Sequence, residues 1–144
     1  MKKHLRALEN MYKSAPINKF FNPKIKIYMG KSKIEMKVLK EFYHSAQSMH
    51  GSVYFKMLDD AAFFAANSFE DRFFVVTTSF TTYLTRPVTN GIIFSEGKVV
   101  NKNNSQFVAE SILYNEDKKE LARGSGMFIR SKFLLKEALG YEKR

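Results

Sequence analysis

Two adjacent carboxylates, Asp59 and Asp60, lie in the middle of an otherwise apolar stretch, HGSVYFKMLDDAAFFAANS, that runs from His50 to Ser68. Burying a carboxylate without a partner is costly, so each aspartate must be paired, solvated in a cleft or used for chemistry. Apolar surroundings also raise the basicity of a carboxyl group. Asp60 has Lys56 one helical turn earlier as a possible partner, and we therefore interpret Asp60 as structural.

Gly51 opens the same stretch. A glycine at the start of a helix offers an unpaired backbone N–H, at the positive end of the helix dipole and with no side chain in the way. Such a donor can stabilise an oxyanion, and the N–H of Ser52 is a possible second one.

The apolar stretch contains no further Gly or Pro after its start, which predicts one helix that is buried almost all round. Alternating apolar residues predict a strand or hairpin over residues 24–38. Four β-rich runs follow the helix, at 73–84, 92–100, 106–114 and 121–130, and their short connections favour a meander of antiparallel neighbours. We therefore predict an α+β fold in which a curved antiparallel sheet wraps around one long central helix.

The length of 144 residues predicts one domain over residues 1–144. Residues 1–19 form an N-terminal extension, with an amphipathic helix over 3–13. Residues 132–144 form a tail with a short, fraying helix. The absence of cysteine fits a reducing compartment, no signal peptide or membrane span is expected, and we predict a cytoplasmic protein. The net charge of +10 favours either an anionic partner or mere solubility.

Three segments together resemble the phenylacetyl-CoA-type acyl-CoA thioesterases of the hotdog fold. These segments are HGSVYFKMLDDAAFFAANS, VTTSFTTYLTRPVTNG and LARGSGMFIRS, and the resemblance covers residues 20–131. That family carries an acidic residue eight positions after the first Gly of its His-Gly-Gly motif, and here that position is Asp59. The resemblance implies hydrolysis of an acyl-CoA, with no cofactor beyond the CoA of the substrate. The many aromatic residues would suit an aryl- or medium-chain acyl group, with core packing as the alternative reason for them. It also implies a homodimer, commonly paired into tetramers.

The resemblance assigns Asp59 as general base or nucleophile and the Gly51 N–H as oxyanion donor. Thr77 falls where relatives carry a Ser or Thr that orients the catalytic water, and an ordinary strand threonine is the alternative. His44 stands where relatives carry an Asn that polarises the carbonyl, and Ser52 replaces a Gly. Both departures affect the expected substrate choice and pH optimum, because the protonation of a histidine varies near neutrality.

His50, whose position favours a structural role at the helix entrance, and Ser52 complete the expected substrate contacts near Gly51. Three basic residues are candidates for the phosphates of CoA: Arg86, Lys102 and Arg123. Helix geometry separates Gly51 from Asp59 by roughly 12 Å along one axis. We therefore expect each site to combine the Asp59 of one chain with the Gly51 of another.

Other functions are weighed on the same residues. A non-catalytic acyl-CoA-binding hotdog domain stays open as the alternative. A hotdog hydratase would need a His shortly after its Asp, and the chain has none beyond His50. The three histidines lack the spacing of metal ligands, so we expect no metal. Binding of single-stranded RNA is disfavoured because most aromatic residues alternate as core positions, and we expect neither a nucleic-acid nor a membrane partner.

Overall fold

The computed structural model describes residues 1–142, and its centre is a six-stranded antiparallel sheet with one long helix against it. The strands are β1 Lys24–Tyr28, β2 Lys31–Lys37, β3 Phe73–Leu84, β4 Ile92–Lys102, β5 Gln106–Tyr114 and β6 Glu120–Leu134. The helices are α1 Lys2–Ser14, α2 Ile17–Phe21 and α3 Gly51–Asn67, with short 3-10 turns at Lys40–Phe42 and Leu135–Glu137. The predicted α+β class and the single central helix are confirmed.

Small residues of the sheet allow α3 to pack close to it. A Cβ at Gly97 of β4 would lie 2.2 Å from the carbonyl oxygen of Ala61, so only glycine fits there. The hydroxyls of Ser32 and Ser111 donate to the carbonyls of Ala61 and Leu58, at 2.6 and 2.8 Å. The middle of α3, where Asp59 lies, is thereby fixed against β2, β4 and β5.

The strand order is β1-β2-β4-β5-β6-β3, and this corrects the predicted meander. Strands β4, β5 and β6 do follow one another, but β3 pairs with β6 at the far edge. The connection from β3 to β4 is short in sequence, yet it crosses from one edge of the sheet toward the other. Connection length alone therefore misplaced β3.

Helix α1 closes the opposite edge of the sheet. Arg6 donates to the carbonyl of Ile27 at 2.8 Å, and Glu9 accepts from the N–H of the same residue at 2.8 Å. Arg6 and Glu9 are themselves 2.7 Å apart as an ion pair. These two side chains satisfy backbone groups of β1 that another strand could otherwise pair with. The edge beside β3 has no such cover from the described part of the chain.

The termini differ from expectation in two places. The predicted N-terminal helix is confirmed, but α2 was not predicted, because Pro16 was read as the end of helical structure. Strand β6 continues four residues past the predicted end, and the expected tail helix is reduced to the turn at Leu135–Glu137. The last two residues of the predicted tail, 143 and 144, lie outside the described residues. Within residues 1–142, no helix combines the length and apolarity that crossing a bilayer requires.

Candidate active site

The N-terminal end of α3 is capped by His50. Its Nδ1 accepts from the backbone N–H of Ser52 at 3.0 Å and lies 2.8 Å from the Ser52 hydroxyl oxygen. This confirms the structural role that was favoured for His50, and it engages the Ser52 N–H that was considered as a second oxyanion donor. Among the described residues, no hydrogen bond uses the N–H of Gly51. One backbone donor therefore remains available at the positive end of the helix.

Asp59 lies eight residues further along α3 and faces β3. Its Oδ1 accepts from the hydroxyl of Thr77 at 2.8 Å, and no described residue donates to its Oδ2. Burial is the largest influence on this carboxyl and raises its pKa from an ordinary value of 3.8 to about 6. The Thr77 hydrogen bond and Lys56 oppose that rise, and the charge of Asp60 adds to it. Asp59 can therefore take up a proton close to neutral pH.

A β-bulge directly follows Thr77 in β3. The register between β3 and β6 shifts between Thr77 and Ser79, so Thr77 and Phe80, rather than Thr77 and Ser79, face α3. A Cβ at Gly124 or Gly126 of β6 would lie 2.4 or 2.3 Å from the Phe80 ring. These two glycines make room for the Phe80 ring and for the neighbouring backbone carbonyls of Thr81 and Ser79, each 2.9 Å from such a Cβ.

Asp60 points away from Asp59, because consecutive helical residues are 100° apart. Its Oδ2 accepts from the Lys56 ammonium at 2.8 Å and from the Tyr12 hydroxyl of α1 at 2.7 Å. The predicted pairing of Asp60 with Lys56 is confirmed. The two neighbouring carboxylates thus differ sharply: Asp60 is charge-compensated, whereas Asp59 has one neutral donor.

His44 lies in the loop that leads to α3, with its ring centroid 6.4 Å from that of His50. Its Nδ1 accepts from the backbone N–H of Ala46 at 3.0 Å, so in the neutral ring Nε2 carries the hydrogen. That Nε2 lies 3.2 Å from the hydroxyl oxygen of Ser48, and the side chain is exposed. In the neutral ring the Nε2–H of His44 is therefore directed at Ser48, in the loop before α3.

Apolar side chains lie between Gly51 and Asp59. The Phe55 ring, 42% exposed, contacts Phe80 edge-on with centroids 5.6 Å apart. Leu84 at the end of β3 is 48% exposed, and its Cδ1 lies 3.4 Å from where a Gly51 Cβ would be. Phe55 and Leu84 form an uncovered apolar surface along β3, the unpaired edge of the sheet. Tyr83, 61% exposed, lies on the opposite face of that strand.

Comparison with known proteins identifies this architecture. The family model described as the thioesterase superfamily matches residues 46–122, which include Gly51, Asp59 and Thr77. The chain belongs to the thioesterase superfamily. It is accordingly a thioester hydrolase, and the sheet around a central helix is the hotdog fold that the sequence predicted.

Individual relatives of this thioesterase agree. A Saccharolobus solfataricus protein described as an esterase is 28% identical over 136 residues, which make up 92% of this chain and 97% of that protein. The Escherichia coli PaaI protein of the phenylacetic acid degradation operon is similar in structure, with a TM-score of 0.84, 21% identity and coverage of 92% and 96%. A Shewanella oneidensis protein related to the thioesterase superfamily has a TM-score of 0.80 and 19% identity, over 90% of this chain and 97% of that one.

The three basic candidates for phosphate binding are not equivalent in the thioesterase. Arg123 is paired with Glu120 at 2.5 Å, and the Lys102 ammonium lies 3.9 Å from the centroid of the Phe69 ring. Arg86 is exposed just after β3. Its carbonyl accepts from the Tyr54 hydroxyl at 2.7 Å and its N–H donates to the carbonyl of Leu121 at 3.2 Å, but its guanidinium has no hydrogen bond or ion pair among the described residues. Arg86 is therefore the most available of the three.

Sequence reasoning missed Tyr12, which was counted only as part of the apolar face of α1. No spacing or motif connects residue 12 with residue 60. It also missed where the positive charge lies, since residues 1–40 contain eleven Lys and Arg but only two Glu. Lys19 and Lys40 of that region are exposed on elements joined by the contact of Phe20 with Phe42, at 5.6 Å. Among residues 1–142, no cluster of His, Asp and Glu is suited to hold a metal ion.

Replacing Asp59 by Asn should make the protein more stable at pH 7.5. A carboxyl whose pKa rises to about 6 on folding binds more protons in the native state, so stability is lost as pH rises from about 4 to about 6. The neutral amide avoids this loss and still accepts from Thr77, giving a gain of about 2 kcal/mol at pH 7.5. The gain should vanish near pH 4, as measured by urea denaturation across pH.

Asp60→Asn is the matched control, and it should lower stability at pH 7.5 because it leaves the Lys56 ammonium without its carboxylate. A stabilisation by Asp59→Asn that does not change with pH would show that Asp59 is not the buried titrating group described above.

Proposed function

We propose that this thioesterase hydrolyses the thioester of an acyl-CoA to a free carboxylic acid and CoA, with Asp59 and the Gly51 N–H as its catalytic groups. The observation that carries the proposal is the state of Asp59: a buried carboxylate, held by Thr77 on one oxygen and available on the other. Such a group is suited to activate water or attack a carbonyl near neutral pH.

As general base, Asp59 takes a proton from water through Oδ2 while the water oxygen bonds to the thioester carbon. The carbonyl oxygen becomes an oxyanion that accepts from the Gly51 N–H. When the C–S bond breaks, the sulfur leaves with the electron pair and takes the proton that Asp59 had accepted, which gives the thiol of CoA and restores the carboxylate. As nucleophile, Asp59 would instead bond to the thioester carbon while the C–S bond breaks and the CoA thiolate leaves. Water would then hydrolyse the resulting anhydride to the free acid and the carboxylate of Asp59. Both routes require the ionised carboxylate, and Thr77 orients it in either case.

The geometry of α3 supports a site shared by two chains. Gly51 and Asp59 lie on one straight helix, roughly 12 Å apart along its axis. One thioester carbon cannot lie within about 3 Å of both groups in the same chain. If two chains pair along their β3 edges with the helices antiparallel, each Asp59 faces the Gly51 of the partner. Such pairing would also cover the exposed Phe55 and Leu84.

The groups around the site suggest how the substrate is held. Phe55 and Phe80 would contact an aryl or medium-chain acyl group. The Nε2–H of His44 would polarise the thioester carbonyl beside the Gly51 donor. Arg86, or Lys19 and Lys40 near the start of α3, would bind the phosphates of CoA. Lys102 and Arg123 are weaker candidates because each already contacts another side chain.

The proposed reaction predicts release of free thiol from acyl-CoAs, measured colorimetrically over a panel of aryl-acetyl and straight-chain substrates. Asp59→Asn should reduce kcat by about two to four orders of magnitude because it removes the proton acceptor. It should leave acyl-CoA binding largely intact. Asp60→Asn should lose far less.

Equal losses in the two variants, or a larger one in Asp60→Asn, would refute the assignment of roles. Binding of acyl-CoA by the wild type without any thiol release would refute acyl-CoA as the substrate of this thioesterase.

Binding of CoA itself should weaken as ionic strength rises, because its phosphates meet a protein of net charge +10. Calorimetric titration of CoA at low and high salt would measure this. Arg86→Gln should reduce the salt dependence, whereas Arg123→Gln should change it little, since that guanidinium is already paired with Glu120. A double Lys19→Gln, Lys40→Gln variant tests the alternative surface. A salt-independent affinity would show that the positive charge serves another purpose.

A further inference from the structure

The N-terminal helix reaches the second carboxylate of the Asp59–Asp60 pair. Tyr12 of α1 is 4% exposed, and its hydroxyl donates to Asp60 Oδ2 at 2.7 Å. The ring packs edge-on against Phe64 of α3 with centroids 5.0 Å apart, which fixes the direction of the hydroxyl. Tyr12 also lies outside residues 46–122, the part that the family model matches.

Lys56 completes this arrangement. Its ammonium lies 2.8 Å from the same Asp60 oxygen and its side chain is only 11% exposed. The ammonium also lies 5.4 Å from the centroid of the Tyr12 ring and 5.1 Å from that of Phe21 in α2. Two aromatic faces and one carboxylate thus hold a single cation in place. Both N-terminal helices contribute to the environment of Asp60.

Without different partners, the neighbouring carboxylates of Asp59 and Asp60 would compete for one proton. When such groups interact, the proton belongs to the pair, and either member can carry it. Donors on one member favour its charged form and leave the other as the proton acceptor. Here Asp60 receives a cation and a hydroxyl, and Asp59 receives only the hydroxyl of Thr77.

We propose that Tyr12 and Lys56 are positioning residues of the hydrolysis: they hold Asp60 as a compensated carboxylate, so that Asp59 alone exchanges the proton. This inference rests on the proposed function of Asp59. It gives the N-terminal extension a part in the reaction, although α1 lies on the far side of α3 from β3. The groups acting on Asp59 from the described elements are Lys56 and Asp60 of α3, Tyr12 of α1 and the neutral Thr77 of β3.

The test is the pH dependence of kcat/KM for acyl-CoA hydrolysis, whose acidic limb reports the ionisation of the free enzyme. Lys56→Gln removes a cation that favours ionised Asp59, so the limb should move to higher pH by roughly 0.5 to 1 unit. Asp60→Asn removes an anion that opposes ionisation, so the limb should move to lower pH by a similar amount. In the double variant the two effects oppose each other, so its acidic limb should lie close to that of the wild type.

Tyr12→Phe should move the acidic limb to higher pH, as Lys56→Gln does, but by less, because the two carboxylates lose only one neutral hydrogen-bond donor. Tyr141→Phe is the matched control. Tyr141 is also buried and also ties α1 to the rest of the chain, with its oxygen 2.7 Å from His4 Nδ1. It should leave the limb in place. Lys56→Arg keeps the charge and should restore the wild-type limb.

Shifts of equal sign in Lys56→Gln and Asp60→Asn would overturn the inference, as would a Tyr141→Phe shift as large as that of Tyr12→Phe. If Lys56→Gln does not fold, Tyr12→Phe and Asp60→Asn still decide, because opposite shifts are expected of them.

A wild type without hydrolytic activity would refute the proposed function instead. The interaction between Asp60 and Asp59 is then tested by stability alone. The free energy of unfolding is measured across pH for each variant, with and without Asp59→Asn. In each variant, the pH above which Asp59→Asn stabilises the protein should shift in the same direction as that given above for the acidic limb. No movement would overturn the inference.

Discussion

Helix α3 holds Gly51 and Asp59 at a fixed separation, and the proposed arrangement of the active site depends on that separation. Gly97 lets the helix approach the sheet, and two serine hydroxyls bind its carbonyls in the middle, so it cannot shift or bend to bring the two groups together. The free N–H and the raised basicity of the carboxylate are both local properties of one helix. The proposed mechanism, which combines the two groups at one thioester, calls for a second copy of that helix.

The two edges of the sheet differ in whether another part of the chain covers them, and this difference fits the proposed pairing of two helices. The β1 edge is closed by Arg6 and Glu9 of α1, which satisfy both backbone groups of Ile27. The β3 edge carries exposed apolar side chains beside the carboxylate and has no cover from the described residues. The pairing of two chains that we propose uses the β3 edge, and it would complete the shared site. The N-terminal helices act on the opposite face of α3, where they compensate Asp60.

The sequence predicted the central helix, the sheet around it and the pairing of Asp60 with Lys56, because a long apolar helix must be buried and a carboxylate within it needs a partner. The catalytic role of Asp59 stays a prediction, drawn from the family resemblance. It did not predict the position of β3, since short connections do not reveal which strands pair. The bulge after Thr77, which places Phe80 instead of Ser79 on the face toward α3, breaks strand alternation and has no local signal. Tyr12 was missed for a similar reason: a tyrosine on an amphipathic helix gives no sign of a carboxylate 48 residues away.

Mixing two inactive variants tests the shared site most directly. Asp59→Asn removes the carboxylate, and Gly51→Pro removes the N–H at a helix start that tolerates proline. Gly51→Ala, which keeps the N–H, should remain active alone. After the two inactive chains are refolded together, half of the dimers are mixed, and each has one intact site, so thiol release should reach about a quarter of the wild-type rate. If mixed dimers form, as shown by two affinity tags, and the mixture stays inactive, the site is not shared between chains.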